Sequence, residues 1–307
     1  MPFILKKFRT VKGKKLHQFL INDVGVTSSF AQKLIAKGRI FDENKRQIKT
    51  NEFLDCNFIE ISLFEGQTKG LNPTFITSDF AIFDKPSGIM VHPISKNTQY
   101  TLLDEIRYHF GDEANLAHRI DLETSGLVLV SRHKKSDIIL KNMFEKRDYK
   151  KEYLAIVEGK ISKNLKIQTP IKKAIDSKIG VKMQISCNGK KSLTFIKPIS
   201  YNPKNNQTFI KAIPKTGRQH QIRVHLHSIG HRIIGDPIYG MDENIADRYL
   251  TKRLSPQERI KFIGHSRLLL HSHSLEFRYK DKNYKILSDK SFFDRGALPN
   301  NNPNPAT

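Results

Sequence analysis

The sequence predicts an α+β protein in two domains, and three observations carry that expectation. Strand-like and helix-like patterns follow one another from residue 74 to residue 288. A Gly, Asn and Pro-bearing stretch over 64–74 breaks both periodicities and separates them from a shorter N-terminal segment. The length, 307 residues, corresponds to about two domains of ordinary size.

In the N-terminal segment, Leu16, Phe19 and Leu20 form one helical stripe, and Phe30, Leu34 and Ile35 form a second. Thr27, Ser28 and Ser29 offer N-caps for the second helix, and Lys37-Gly38 ends it. Phe58–Leu63 alternates as a strand does. Residues 1–50 carry 12 Lys and Arg against 3 Asp and Glu, so cations crowd the two helices. That combination predicts a compact RNA-binding module over residues 1–70. The second domain is expected over 71–288, with strands at Phe80–Phe83, Gly126–Val130, Tyr153–Val157, Leu193–Ile196, Thr208–Ile213 and Leu268–His271. Its helices are expected at Leu102–Phe110, Ser136–Phe144 and Arg218–Ile229. The segments 193–199 and 209–213 flank a polar loop and read as an antiparallel hairpin. The remaining polar, Pro-rich tail, 289–307, is expected to be disordered.

Composition narrows the function. Lys and Arg total 53 against 30 Asp and Glu, a formal charge of +23, which calls for a polyanionic partner. Nucleic acid and an anionic membrane surface both qualify on charge alone. The 19 Phe and 9 Tyr supply a core and stacking platforms for bases. No apolar run reaches the length of a membrane span, and the N-terminal apolar stretch is too short for a secretory signal. Cys56 and Cys187 are the two cysteines, too few for a disulfide framework or a four-thiolate zinc site. A cytoplasmic monomer is the resulting expectation.

Four stretches look unlike ordinary core or surface. Asp84-Lys-Pro-Ser-Gly, leading to His92-Pro, ends a strand in a turn with a charged pair, either a loop-positioning device or a tight structural turn. His118-Arg-Ile-Asp-Leu-Glu-Thr-Ser-Gly puts charged and hydroxyl groups immediately before a fully apolar strand. There Asp121 reads as a turn-forming residue or as a carboxylate needing cationic partners. Lys151-Glu-Tyr-Leu-Ala puts Tyr153 on one face of a strand, a position usually filled by core tyrosines. Thr216-Gly-Arg-Gln-His-Gln-Ile-Arg-Val-His reads as a capped helix, with Thr216 as cap and Gly230 as terminator. Ile222, Leu226 and Ile229 are expected to face inward, with Arg223 at the border of that stripe. The three His of this segment, His220, His225 and His227, lack a zinc-ligand spacing, so no metal is expected.

Taken together and in order, with Ile234-Gly-Asp-Pro-Ile-Tyr-Gly and Arg267-Leu-Leu-Leu-His, these motifs resemble the RluA family of RNA pseudouridine synthases over residues 80–277. The N-terminal segment is similar to the two-helix alpha-L RNA-binding domain, although Ser28-Ser29-Phe30 lacks the arginine usual after the opening serine. The resemblance implies a mixed, largely antiparallel sheet with flanking helices, preceded by the small α/β RNA-binding domain. It implies a nucleophilic Asp121, an Arg223 that pairs with it, and a Tyr153 that stacks on a flipped uracil. Arg119 would fill the gap left in the RNA stack, and Leu269 and Leu270 would wall the pocket. RNA contacts fall to His118, Arg218 and His220 in the second domain and to Lys33, Lys37 and Arg39 in the first. The implied substrate is RNA, with ribosomal RNA favoured and transfer RNA left open, with no cofactor and no obligate protein partner. A catalytically silent RNA-binding or ribosome-assembly factor on the same fold is the alternative. Glycosidase and nuclease readings find too few suitably placed carboxylates.

Overall fold

In the computed structural model, which describes residues 3–49, 52–94 and 98–288, both N-terminal stripes fold as helices. The first unit contains β1 (Phe3–Arg9), α1 (Leu16–Asn22), α2 (Ser28–Ala36), β2 (Ile40–Asp42) and β3 (Phe58–Phe64). The strands form an antiparallel sheet in the order β1-β3-β2. Leu16, Phe19 and Leu20 of α1 share a core with Ala31, Leu34 and Ile35 of α2 and with Ile40, Ile59 and Ile61 of the sheet. Thr27 caps α2 by accepting the Phe30 N–H on its hydroxyl. The Phe30 ring is 37% exposed and lies outside the core, and Ala31 takes the inward place. Its position just inside the cap turns the first helical residues to solvent.

The first unit comprises Met1–Lys69 together with His92–Asp112, so α3 (Leu102–Phe110) clusters with it although it follows the linker. Thr101 opens α3 by donating its backbone N–H and its hydroxyl to Asp104 Oδ2, at 2.9 and 2.8 Å. The Arg107 guanidinium lies 4.4 Å from the centre of the Phe64 ring.

The second unit is built on β4 (Phe75–Ile76), β5 (Phe80–Lys85), β6 (Asn115–Leu116), β7 (Ser125–Ser131), α4 (Lys134–Lys146), β8 (Tyr149–Glu158), β9 (Leu165–Ile167), β10 (Ile171–Lys173) and β11 (Met183–Ile185). It continues with β12 (Thr194–Asn202), β13 (Gln207–Pro214), α5 (Gln221–Ser228), α6 (Glu243–Leu250), α7 (Pro256–Ile263), β14 (Leu270–Tyr279) and β15 (Lys282–Leu287). One ten-stranded sheet runs β4-β5-β7-β14-β8-β13-β12-β9, with β6 on β7 and β15 on β14. Its pairings are antiparallel except β7–β14, so the mixed, largely antiparallel α+β architecture holds. The expected hairpin is β12–β13. β10 and β11 form a separate hairpin that packs with Val224 of α5, Ile238 and Tyr239.

The parallel β7–β14 contact explains one motif glycine. Gly126 sits at φ 106°, and a Cβ there would lie 2.3 Å from the Ser272 carbonyl oxygen. Only glycine allows β7 and β14 to close at this point, directly behind the Asp121 loop.

Three local expectations need correction. Thr216 does not cap α5; its hydroxyl donates to Gln221 Oε1 at 2.7 Å, and His220 occupies the cap position. Ile229 is 39% exposed, because α5 ends at Ser228 and the chain turns there. Gln221, Arg223 and His225 join Ile222 and Leu226 on the buried side, so the helix is enclosed nearly all round and its buried polar groups need partners. The tail over 289–307 lies outside the described residues. No helix among the described residues is long and apolar enough to cross a membrane.

Candidate active site

The loop between β6 and β7 carries Asp121 and is fastened by the turn that follows β5. The Lys85 ammonium, fully buried, donates to the carbonyls of Pro86 and Leu122 at 2.9 and 3.1 Å. Ser87 donates its hydroxyl to the Glu123 carbonyl at 2.6 Å, and Gly88 its N–H to the Leu122 carbonyl at 3.0 Å. Burial pushes the Lys85 pKa down to about 7, with Glu123 and Asp121 partly opposing the fall. The Asp84-Lys-Pro-Ser-Gly stretch is therefore a clamp on the backbone of the carboxylate loop.

The loop sends its two acids to different cations. Asp121 Oδ2 accepts a hydrogen bond from Arg223 Nη1 at 3.2 Å, and its side chain is 26% exposed. Arg223 donates through Nε and Nη2 to the two oxygens of Asp236, at 2.7 and 2.9 Å. Asp236 also accepts the N–H groups of Ile238 and Tyr239 at 2.9 and 3.0 Å. Burial disfavours the Asp236 charge, but Arg223 and these amides outweigh it and hold the carboxyl below its ordinary range. Burial likewise disfavours the Arg223 charge, and Asp236 and then Asp121 more than offset it, raising the guanidinium above its usual value. The fork is thus locked on Asp236 through Nε and Nη2, and Nη1 is turned to Asp121.

Glu123 goes elsewhere. It pairs with Arg259, accepts the Tyr249 hydroxyl, and accepts the Leu268 N–H at 3.3 Å. Burial would raise its pKa, but Arg259 leads the groups that bring it below the ordinary value.

Tyr153 projects from β8 between Ser272 of β14 and Ala212 of β13, 8% exposed. Burial pushes its phenol upward, Ser272 opposes this by a hydrogen bond, and the nearby Asp121 charge adds to the rise. Leu269 and Leu270 are buried in the same core cluster as Tyr153, and the Leu269 N–H donates to the Ile234 carbonyl at 2.9 Å. At Gly235, a Cβ would lie 1.9 Å from the Arg267 carbonyl oxygen, so this glycine lets the two segments close over the core.

His220 has its ring Nε2 at 4.0 Å from Asp121 Oδ2 and its Nδ1 at 3.0 Å from the Tyr239 hydroxyl. Its backbone is left-handed, φ 54° and ψ 19°. Burial and then the Arg223 charge push its pKa down to about 4, against the opposing pull of Asp121 and Asp236.

The structure thus brings together Asp121, Arg223 and His220, with Tyr153 close enough to feel the Asp121 charge. Arg119 is exposed beside the loop. Arg218 is half-buried, with Nε donating to the Lys191 carbonyl at 3.2 Å. His118 is turned inward instead of toward a ligand. Its Nε2 accepts the Leu129 N–H at 3.1 Å and its ring lies 4.7 Å from that of Phe144, so it braces β7. In the first unit Lys33 and Lys37 are exposed, while Arg39 is half-buried with its guanidinium 4.2 Å from the Phe3 ring centre. Sequence reasoning assigned no role to Asp236, Glu123 or Lys85. Asp236 lay within a quoted motif, and the signal available was a buried arginine that needs more than one carboxylate.

The comparisons with known proteins place the chain in a family. The profile of a family described as RNA pseudouridylate synthase matches residues 79–228. An RNA pseudouridine synthase of Helicobacter pylori is 36% identical over 290 residues, covering 94% of this chain and 94% of that protein. This chain belongs to the RNA pseudouridine synthase family. The RluA-type resemblance carried by the motifs is therefore borne out. The ribosomal large subunit pseudouridine synthase D of Nitrosomonas europaea is 35% identical over 164 residues, 52% of this chain and 46% of that protein. The solved structure of human RNA pseudouridylate synthase domain containing 1 superposes with a TM-score of 0.59 at 23% identity, covering 74% of this chain and 86% of that one, and establishes the shared fold.

Proposed function

We propose that this enzyme converts uridines of large-subunit ribosomal RNA to pseudouridine, with Asp121 as the nucleophile. The observation that carries the reading is the half-engaged carboxylate. Arg223 and His220 both approach Oδ2 of Asp121, and among the described residues no hydrogen bond reaches Oδ1. Oδ1 therefore keeps its lone pairs for attack, while Oδ2 is held by a guanidinium that Asp236 fixes in place.

The reaction breaks the bond from ribose C1′ to uracil N1 and joins C1′ to C5. The C5 proton is lost and N1 gains one, so the product is an isomer and no redox step occurs. The uridine must first leave its stack, at a cost of about a few kcal/mol. Arg119, exposed beside the loop, suits the vacated place because a planar guanidinium stacks on bases and reaches phosphate. Burial and the Asp121 charge keep Tyr153 a neutral phenol, so its part is ring stacking and proton relay through the hydroxyl. The exposed Lys33 and Lys37 of the first unit are assigned to the RNA backbone, where the high positive charge of the chain also acts. Ribosomal RNA is favoured by the name of the Nitrosomonas relative.

The test uses ribosomal and transfer RNA tritiated at uracil C5. Wild-type protein is expected to release tritium to water from ribosomal RNA, and Asp121→Asn to release none while binding RNA within about tenfold of wild type. Release from transfer RNA alone would overturn the substrate. Release by Asp121→Asn would overturn the nucleophile.

A further inference from the structure

Building on the reading of Asp121 as nucleophile, we propose that His220 is a positioning residue: Tyr239 holds its ring in the Nε2-protonated form, and that N–H steadies Oδ2 of Asp121 during attack.

Met183, at the start of β11, donates its N–H to the Tyr239 hydroxyl oxygen at 3.0 Å. The Tyr239 side chain is buried, and its hydroxyl lies 3.0 Å from His220 Nδ1. If Nδ1 carried the proton, the hydroxyl oxygen would accept twice and its own O–H would be buried with nowhere to go. Among the described residues no other acceptor engages that O–H. The O–H therefore donates to Nδ1, and a neutral imidazole that accepts at Nδ1 bears its hydrogen on Nε2. Nε2 is the atom that faces Asp121 Oδ2 at 4.0 Å. A side-chain shift of about 1 Å brings the pair into hydrogen-bonding range.

The backbone supports a side-chain role. His220 adopts a left-handed conformation that glycine would take without strain, so the position holds a ring despite its backbone geometry. The charged and titratable groups around the ring are Asp121, Arg223, Asp236 and Tyr239. Arg223 already supplies the cation at Oδ2. A neutral second donor aligns the same oxygen without adding positive charge, which leaves Oδ1 the more nucleophilic of the two. The relay runs from the β10–β11 hairpin through Tyr239 and His220 to the carboxylate.

Two measurements on the full-length protein decide it. Nitrogen-15 NMR of labelled histidine at neutral pH should show the His220 ring, identified by loss of its signals in His220→Gln, as the Nε2–H tautomer. Tyr239→Phe should convert it to a mixture. In single-turnover tritium release, His220→Ala should lower the rate at least tenfold while RNA affinity stays within threefold. His220→Gln, whose amide restores a neutral donor, should recover most of that loss. An Nδ1–H tautomer in wild type, an unchanged rate in His220→Ala, or weaker RNA binding at an unchanged rate would overturn the proposal, the last making His220 an RNA contact. If His220→Ala fails to fold, the tautomers of wild type and Tyr239→Phe decide alone. Asp121→Asn, run alongside, separates the two readings, because turnover by that variant removes the nucleophile whatever the tautomer.

Discussion

Asp121 and Glu123 stand two residues apart on one loop, and each meets an arginine, yet their surroundings differ in kind. Glu123 is saturated: Arg259, the Tyr249 hydroxyl and the Leu268 amide occupy its oxygens, and its side chain is 8% exposed. Asp121 is three times as exposed and, among the described residues, accepts from Arg223 at one oxygen only. Arg223 is itself fixed from the other side by Asp236, which takes its Nε and Nη2. A carboxylate with every lone pair engaged ties α7 and the Leu268 segment to the loop. A carboxylate left half engaged against a locked cation keeps an oxygen open, as the proposed nucleophile requires. Sequence spacing alone treats the two acids alike, and the difference lies in what the surrounding elements bring to each.

Substitution should separate the two roles. Asp121→Asn should cut tritium release by on the order of a thousandfold or more, with an unfolding midpoint within a few degrees of wild type. Glu123→Gln should do the opposite, costing about 3–5 kcal/mol of stability because Arg259 is left as an uncompensated buried charge. Urea unfolding and turnover of the residual folded protein would measure both; equal stability losses in the two variants would erase the distinction. Asp236→Asn weakens the anchor behind Arg223 without touching the loop. Activity there should fall by about a hundredfold with a smaller stability loss than in Glu123→Gln. Arg223→Lys keeps the charge but loses the fork, so it cannot bridge Asp236 and Asp121 together, and at least a tenfold loss in kcat is expected.

A pH-dependent effect concerns a buried lysine with no carboxylate partner among the described residues. The Lys151 ammonium lies 4.6 Å from the Phe144 ring centre and 5.1 Å from that of Tyr149, and burial pushes its pKa down to about 7. Between pH 7 and the unfolded value of 10.5 the unfolded chain binds the extra proton, so this group makes stability rise with pH across that window. Lys151→Met should flatten that rise in a urea titration series run from about pH 7 to 10.

Much of the second unit was legible in the sequence because its strands are short apolar runs bounded by Gly and Pro. Strands at Phe80–Lys85 and Ser125–Ser131 and the helix at Lys134–Lys146 fall where periodicity puts them. The start of α5 was not legible. Thr216 has the chemistry of a cap, but its hydroxyl is drawn to Gln221 and Leu193, and a left-handed histidine takes the cap place. His118 also misled, since a histidine next to Arg119 and Asp121 looks exposed until the Leu129 amide is found on its ring. The placement of α3 with the first unit has no local marker, because its amphipathic stripe fits any apolar surface.

By itself the sequence determined the kind of protein: its charge favours a polyanionic partner, its motif order carries the family, and its apolar periodicities define most elements. Those properties depend on residue identity and near-neighbour spacing, which the chain states outright. Only the tertiary structure decided which carboxylate is poised and which is saturated. Asp121 meets Arg223 across 102 positions and Glu123 meets Arg259 across 136, so their protonation, freedom and chemistry depend on contacts that no local pattern encodes.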